Sequence, residues 1–436
     1  MDLEKAFHPF DIRGDYPAVV DEELAWRTGR ALSGILGSGN FAVGGDSRKS
    51  TPSLKNEVIV GLWSFNSKVT DLGELPTPLF NYGIYKGNFL GGIMVTASHI
   101  AENQNGFKMV REKAIPLNEG EMLRIKEQVR LEATPYEPAG KTMPVPSKVD
   151  SFLNLYVGEI AEKFKNLKFD QKIIIDSGQT VLTSVVERIF PRLNINYEHL
   201  KSERELNPLM PEGRKNLAER IIQTGAALGI IWDGDGDRCL FLDRKGNLIP
   251  PAFILGLVAR NYKKAAFDTR AGMAAYTTDF VIVPSWGQNI KFAMQEDPAI
   301  EFGGEVSGHL MFKEWYGIDD GIFAALKFLE IASFMNLEKE LSRLDGLYHE
   351  FPEHNFPLKQ NSALALDKIA DYYRNRGNNV SILDGVTVWT KDYKFNLRPS
   401  LTEPFLRLNL ETKKEREAEK IFLEIEKKIN ESASPN

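Results

Sequence analysis

Short apolar runs alternate with amphipathic stretches from the start of the chain to about residue 350. Residues 41–44 read as a buried strand that leads into a loop and a helical stretch near 51–66. Residues 91–97 enter a second loop, and a charged helical pattern follows at 119–131. Residues 172–175 precede Asp176, Ser177 and Gly178, with a helix expected at 181–190. Such alternation predicts βαβ units, and hence mixed or parallel sheets covered by helices. Ligands of such sheets gather outside the carboxyl ends of the strands, so the loops there are the first place to look for chemistry.

Breaks in the pattern divide the chain. Pro135, Pro138, Pro144 and Pro146 make 133–147 a predicted linker after a first domain. Pro250 and Pro251 follow a predicted tight turn at 244–247 and open a third domain, and 349–357 reads as another crossing. Beyond it come a helix near 364–376, strands, a charged helix at 413–429 and a tail over 431–436 expected to fray. The expected organisation is therefore three α/β mixed-sheet domains, 1–146, 147–249 and 250–353, followed by a smaller C-terminal α+β domain, 354–436.

Composition narrows the function classes. The 54 basic residues against 60 acidic ones leave a net charge of −6, which supplies no overall field for nucleic acid or an anionic bilayer. Cys239 is the sole cysteine, so an intramolecular disulfide and a cysteine zinc site are excluded and a reducing, cytoplasmic setting is expected. The first residues lack the apolar core of a signal peptide, and runs such as 253–259 are too short to cross a bilayer.

The segment Trp232-Asp233-Gly234-Asp235-Gly236-Asp237-Arg238-Cys239 is the most informative one. An apolar strand runs into three alternate aspartates separated by glycines, and another apolar strand runs out. Three carboxylates so close repel one another unless a cation neutralises them, and hard oxygen ligands select Mg²⁺ or Ca²⁺. An EF-hand loop needs glycine at its sixth position and glutamate at its twelfth, where this chain has Arg238 and Arg244, so that reading fails. A solvated hairpin turn of Asp and Gly is the bland alternative. Arg238 beside the triplet suits a phosphate that shares the metal, and Cys239 reads as a small buried residue.

Three further loops carry candidate chemistry. Thr96-Ala97-Ser98-His99 places a hydroxyl and an imidazole just after a buried strand; it is not the G-x-S-x-G elbow of a hydrolase, and a Ser-His pair alone is more often turn chemistry than catalysis. Gly303-Gly304-Glu305-Val306-Ser307-Gly308-His309 offers a carboxylate, a hydroxyl and an imidazole suited to sugar hydroxyls. Phe312 and Trp315 close by read as core residues. Arg398-Pro399-Ser400-Leu401-Thr402 supplies a guanidinium fork and two hydroxyls, the donors a phosphate dianion requires. The strand after it alternates, with Leu406, Leu408 and Leu410 on one face and Arg407 and Asn409 on the other.

In this order the loops resemble those of the α-D-phosphohexomutases, most closely the phosphomannomutase/phosphoglucomutase branch, and the resemblance spans essentially the whole chain. Phe10-Asp11-Ile12-Arg13-Gly14 and Gly45-Asp46-Ser47-Arg48 are similar to two N-terminal signatures of that family. The resemblance implies four domains around a central cleft, with Ser98 phosphorylated and Mg²⁺ held by Ser98, Asp233, Asp235 and Asp237. It implies that Glu305 and Ser307 grip sugar hydroxyls. Arg398, Ser400 and Thr402 would hold the phosphate that is not reacting, with Arg13, Arg270 and Arg407 as further substrate contacts. His99 and Arg238 would flank the phosphoserine, and Lys108 and His309 match positions of proton transfer. The implied activity is a cytoplasmic isomerase of carbohydrate metabolism that interconverts hexose 1-phosphate and hexose 6-phosphate of mannose or glucose. It would work through a hexose 1,6-bisphosphate, with no nucleic-acid or membrane partner. A phosphoglucosamine mutase, a Mg²⁺-dependent sugar-phosphate phosphatase and a non-catalytic sugar-phosphate-binding protein are the competing readings. The chain departs from the family pattern at Phe10, at Ile100-Ala101 in place of Asn-Pro, at Ser285-Trp286-Gly287-Gln288 and at Leu401.

Overall fold

A computed structural model of the chain describes residues 2–139, 145–203, 207–357, 362–399 and 405–432. Within it the chain forms two compact units, one of 1–248 with 307–330 and one of 249–306 with 331–436. Helices and mixed sheets alternate as the apolar pattern requires. Among the described residues no helix is long and apolar enough to cross a membrane.

The first unit holds two sheets. In one, Asn40–Gly45 lies between the parallel strands Lys68–Glu74 and Gly91–Val95, and Gly91–Val95 pairs antiparallel with Gln104–Arg111. Asp11–Asp15 and the short Ile115–Pro116 also pair with Gln104–Arg111, with Arg13 opposite Gly106. Gly91–Val95 is buried at every position, which is why it reads as a continuous apolar run rather than an alternating one. The helix at Glu119–Leu131 starts on a capping box: the Asn118 side chain accepts from the Glu121 amide, and the Glu121 carboxylate accepts from the Asn118 amide. In the second sheet Lys168–Asp176 runs parallel to Asn194–Leu200 and Leu228–Trp232, and Leu228–Trp232 turns back antiparallel into Cys239–Asp243. The acidic residues therefore sit at the tip of a hairpin whose two strands are wholly apolar inside.

The helix Gly321–Ala332 packs its first turn against that tip. The Gly321 amide donates to the Gly236 carbonyl at 3.0 Å. A Cβ at position 321 would stand 2.7 Å from the Gly236 and Arg238 carbonyl oxygens, so the approach requires glycine. Asp320 caps this helix with bonds from the Ile322 and Phe323 amides, both at 3.0 Å, and also accepts from the Tyr156 hydroxyl and the Trp315 indole. Burial outweighs these four donors and pushes the Asp320 carboxyl from 3.8 up to about 6. The folded state then binds this proton more tightly than the unfolded chain, so the stability it contributes falls as pH rises from about 4 through 6. The advantage of the wild type over Asp320→Asn is expected to shrink between pH 4 and pH 7 by at most roughly 3 kcal/mol. Urea unfolding at both pH values checks this, and a constant difference would contradict it.

In the second unit Lys264–Asp268 runs parallel to Asp279–Val283 and Phe302–Gly304. A separate antiparallel sheet orders His349–Pro357, Phe405–Thr412, Tyr393–Pro399, Val386–Trp389 and Asn379–Ser381, and the helices Ser362–Arg374 and Glu415–Ser432 cover its core. Leu406, Leu408 and Leu410 point into that core and Arg407 and Asn409 do not, as their alternation required. The stretch read as a crossing at 349–357 is instead an edge strand with a bulge between Phe351 and His354. Its prolines disguise it, because a residue that cannot donate to a ladder is tolerated at an edge or a bulge. The last helix also continues through Ser432, two residues into the expected tail; 433–436, like Pro144, lie outside the described residues.

Candidate functional site

Asp233, Asp235 and Asp237 alternate along the hairpin tip, so their carboxylates converge, and ligand oxygens of all three lie within 4.8 Å of one another. The tip folds because Gly236 takes φ +80°, where a Cβ would stand 2.6 Å from Leu182. The Asp233 carboxylate stitches the tip together by accepting from the Gly236 amide at 3.1 Å and the Arg238 amide at 3.2 Å.

Two cations temper this charge. Lys108, on the strand Gln104–Arg111, places its ammonium 2.6 Å from Asp235 and 2.7 Å from Asp237. Arg238 Nε lies 3.6 Å from Asp233. Burial alone would lower the Lys108 pKa, but Asp235 and Asp237 together hold it above the ordinary lysine range. Burial works against the charge on Asp237 too, yet the Lys108 ammonium and the His309 ring keep its carboxyl well below the usual value. Asp233 is driven the other way, upward, by burial and by its neighbours Asp237 and Asp235. The donor set suits a hard divalent cation: oxygens only, close together, with the buried Asp235 Oδ1 lacking a hydrogen-bond partner among the described residues.

Ser98 faces this cluster from the loop after Gly91–Val95. Its hydroxyl lies 3.2 Å from Asp233 Oδ2 and 3.2 Å from His99 Nδ1, and its backbone is left-handed at φ +55°. Burial, and after it the Arg238 guanidinium, push His99 from 6.5 down to about 2, so the ring stays neutral. His309 joins from the segment before Leu310–Phe312, with Nε2 3.1 Å from Asp237 and Nδ1 2.9 Å from the Ser307 hydroxyl. Arg13 lies on the strand beside the Ser98 loop, with Nε 3.3 Å from Asp11.

The second unit gathers the other candidates. Arg270 is paired with Asp268, its Nε donating at 2.7 Å, and its terminal nitrogen reaches Glu305 at 3.4 Å. Arg398 stands directly across the strand pair from Arg407. Burial and the nearby Arg270 lower the Arg398 pKa, the signature of guanidiniums crowded together, and such a group is drawn to a dianion. Ser400 and Thr402 lie outside the described residues.

Several contributors escaped the sequence reading. Thr77, at the start of the helix Thr77–Lys86, donates its hydroxyl to Asp235 at 2.6 Å. Its only signal was a Pro-Thr-Pro turn between a strand and a helix. Lys394 is buried and caps the carbonyls of Thr269 (2.8 Å) and Ala271 (2.5 Å), while Glu411 opposite it accepts from the Met273 amide. Together they pin the turn that carries Arg270; a charged residue at an inward strand position was the available hint. Ser285 and Thr269 both donate to Asp384, and Trp286 takes φ +97° ahead of the helix Gly287–Glu296.

Comparison with known proteins gives a consistent result. Residues 4–135, 154–246 and 271–352 match the alpha/beta/alpha domains I, II and III of phosphoglucomutase/phosphomannomutase. A phosphomannomutase of Vibrio cholerae is 31% identical over 93% of this chain and 94% of its own. The phosphohexose mutases of Xanthomonas campestris are 30% identical over 94% and 95%. Among solved structures, a phosphoglucomutase/phosphomannomutase family protein from Burkholderia thailandensis superposes with a TM-score of 0.84 at 23% identity, covering 99% of both chains.

Proposed function

The chain belongs to the phosphoglucomutase/phosphomannomutase family and is a phosphohexomutase, and on that premise we propose that it interconverts the 1- and 6-phosphates of mannose, glucose or both through a phosphoserine at Ser98 and a hexose 1,6-bisphosphate. The observation that carries the reading is the Ser98 hydroxyl at 3.2 Å from Asp233 in a loop of three buried carboxylates. A phosphate there would add a charge of about −1.5 to −2 to that cluster, which only concentrated positive charge makes tolerable. Asp233, Asp235, Asp237 and the Ser98 oxygen would hold Mg²⁺, which supplies charge neutralisation at the transferring phosphoryl group.

The residues divide the remaining work. Arg238 faces the phosphoserine, and Lys108 keeps its proton as long as Asp235 and Asp237 hold it. His309, fixed between Ser307 and Asp237, is the proton acceptor for the sugar hydroxyl that attacks the phosphoserine. In the second unit Glu305 and Arg270 meet the sugar, and Arg398 and Arg407, with Ser400 and Thr402, take the phosphate that stays bound. The bisphosphate turns end for end and returns its other phosphate to Ser98. Under this reading 1–146 presents the phosphoserine, 147–249 the acidic loop, 250–353 sugar recognition and 354–436 the phosphate clamp.

The test follows phosphorus NMR of the purified protein with Mg²⁺ and mannose, glucose or glucosamine 1-phosphate in turn. Conversion to the 6-phosphate, stimulated by a trace of hexose 1,6-bisphosphate and without release of inorganic phosphate, is expected, fastest with mannose or glucose. Accumulating inorganic phosphate would make the protein a phosphatase. Binding with no turnover would make it a carrier.

A further inference from the structure

The loop that carries Ser98 has Ile100-Ala101 where the family pattern has Asn-Pro, so something other than a proline must set its shape. The structure supplies this from the neighbouring strand end. Arg48 donates through Nε to Asp46 (3.0 Å), through one terminal nitrogen to the Ala101 (2.6 Å) and Gln104 (3.2 Å) carbonyls, and through the other to the Ser98 (2.8 Å) and Ile100 (2.7 Å) carbonyls. A guanidinium has five N–H donors, and these bonds use them all. Arg48 is therefore unavailable to a phosphate and is committed to the loop.

The other side of Ser98 is held from the same point. Its amide donates to the Thr96 hydroxyl at 2.9 Å, and that hydroxyl donates to Asp46 at 2.7 Å. Asp46 further accepts from Thr51 at 2.7 Å, and the whole set is buried. One carboxylate thus reaches the amide of Ser98 through Thr96 and the carbonyl of Ser98 through Arg48. A left-handed backbone at a residue other than glycine is unfavourable unless its surroundings hold it. Here they do, and that conformation turns the Ser98 oxygen toward Asp233.

We propose that Arg48, acting with Asp46 and Thr96, is a positioning residue for phosphoryl transfer: it fixes both peptide groups of Ser98 and so aims its oxygen. The proposal rests on Ser98 being the residue that takes the phosphate. Lysine, with three donors on one nitrogen, cannot reach five acceptors spread around a plane, so Arg48→Lys breaks the device while keeping the charge. Thr96→Val removes the relay to the amide with little change of volume, and Thr96→Ser keeps it.

Steady-state kinetics of the three variants, paired with amide hydrogen exchange at Ser98, test this. Arg48→Lys and Thr96→Val are expected to lower kcat by about 10²-fold, the cost of a misaimed group. The KM for hexose 1-phosphate should stay within about threefold of wild type, since ground-state contacts are elsewhere. Exchange at Ser98 should quicken in both, and Thr96→Ser should behave as wild type. Wild-type kcat in Arg48→Lys, or a loss that Thr96→Ser shares, would overturn the proposal. Were the wild type to carry no phosphate on Ser98, the functional reading would fall; exchange would still decide the loop device, which unaltered exchange in Arg48→Lys refutes.

Discussion

Ser98→Ala is expected to abolish interconversion of hexose phosphates, a loss on the order of 10⁴-fold or more in kcat, as for removal of a nucleophile. The change deletes one oxygen, the atom that lies 3.2 Å from both Asp233 and His99. It leaves the groups proposed to grip the sugar and the distal phosphate, so hexose 6-phosphate should bind within about threefold of wild-type affinity. Intact mass spectrometry after incubation with hexose 1,6-bisphosphate reads the same event directly: wild type gains one phosphate and the variant gains none. A variant that keeps more than about 1% of wild-type turnover would remove Ser98 from the mechanism, because no residual binding effect reaches that level.

The largest loss of stability is expected at Trp232, the residue that feeds into Asp233. Its ring is fully buried, packs edge-on against Phe190 and lies against the first turn of Gly321–Ala332. Trp232→Ala should cost about 3–5 kcal/mol, the range for deleting a buried aromatic. Trp232→Phe, which retains most of the volume, should cost under about 1.5 kcal/mol. Urea unfolding followed by near-ultraviolet dichroism measures both. The alanine variant should also bind a divalent cation more weakly than the phenylalanine one, since Trp232 immediately precedes Asp233 and packs on the helix that meets the acidic tip. Equal stability of the two variants would mean that the packing beneath the acidic tip carries no load.

What could be read from the sequence depended on how local each feature is. The acidic tip was visible because its three carboxylates are adjacent in the chain and no packed core would place them so without a reason. The strand Gly91–Val95 and the helix Glu119–Leu131 were visible because one is an apolar run and the other carries a charged helical pattern. The grip of Arg48 on Ser98 was not, since it joins residues separated by 50 positions through backbone carbonyls, which carry no sequence signal. Thr77 and Lys394 were hidden for the same reason: the partners they serve lie far off in the chain. The edge strand His349–Pro357 was misread because proline normally marks a break.

The contact between Gly321 and Gly236 sits beside the charges that hold the acidic tip together. The ammonium of Lys108 and the guanidinium of Arg238 bring lasting positive charge to the acidic tip, while the helix that begins there turns its first amide to the Gly236 carbonyl. These counter-charges are built into the chain and offset part of the repulsion among the carboxylates. Stripping a divalent ion from the loop should then lower the melting temperature only to the extent of the binding free energy the ion supplied, and leave the fold itself intact.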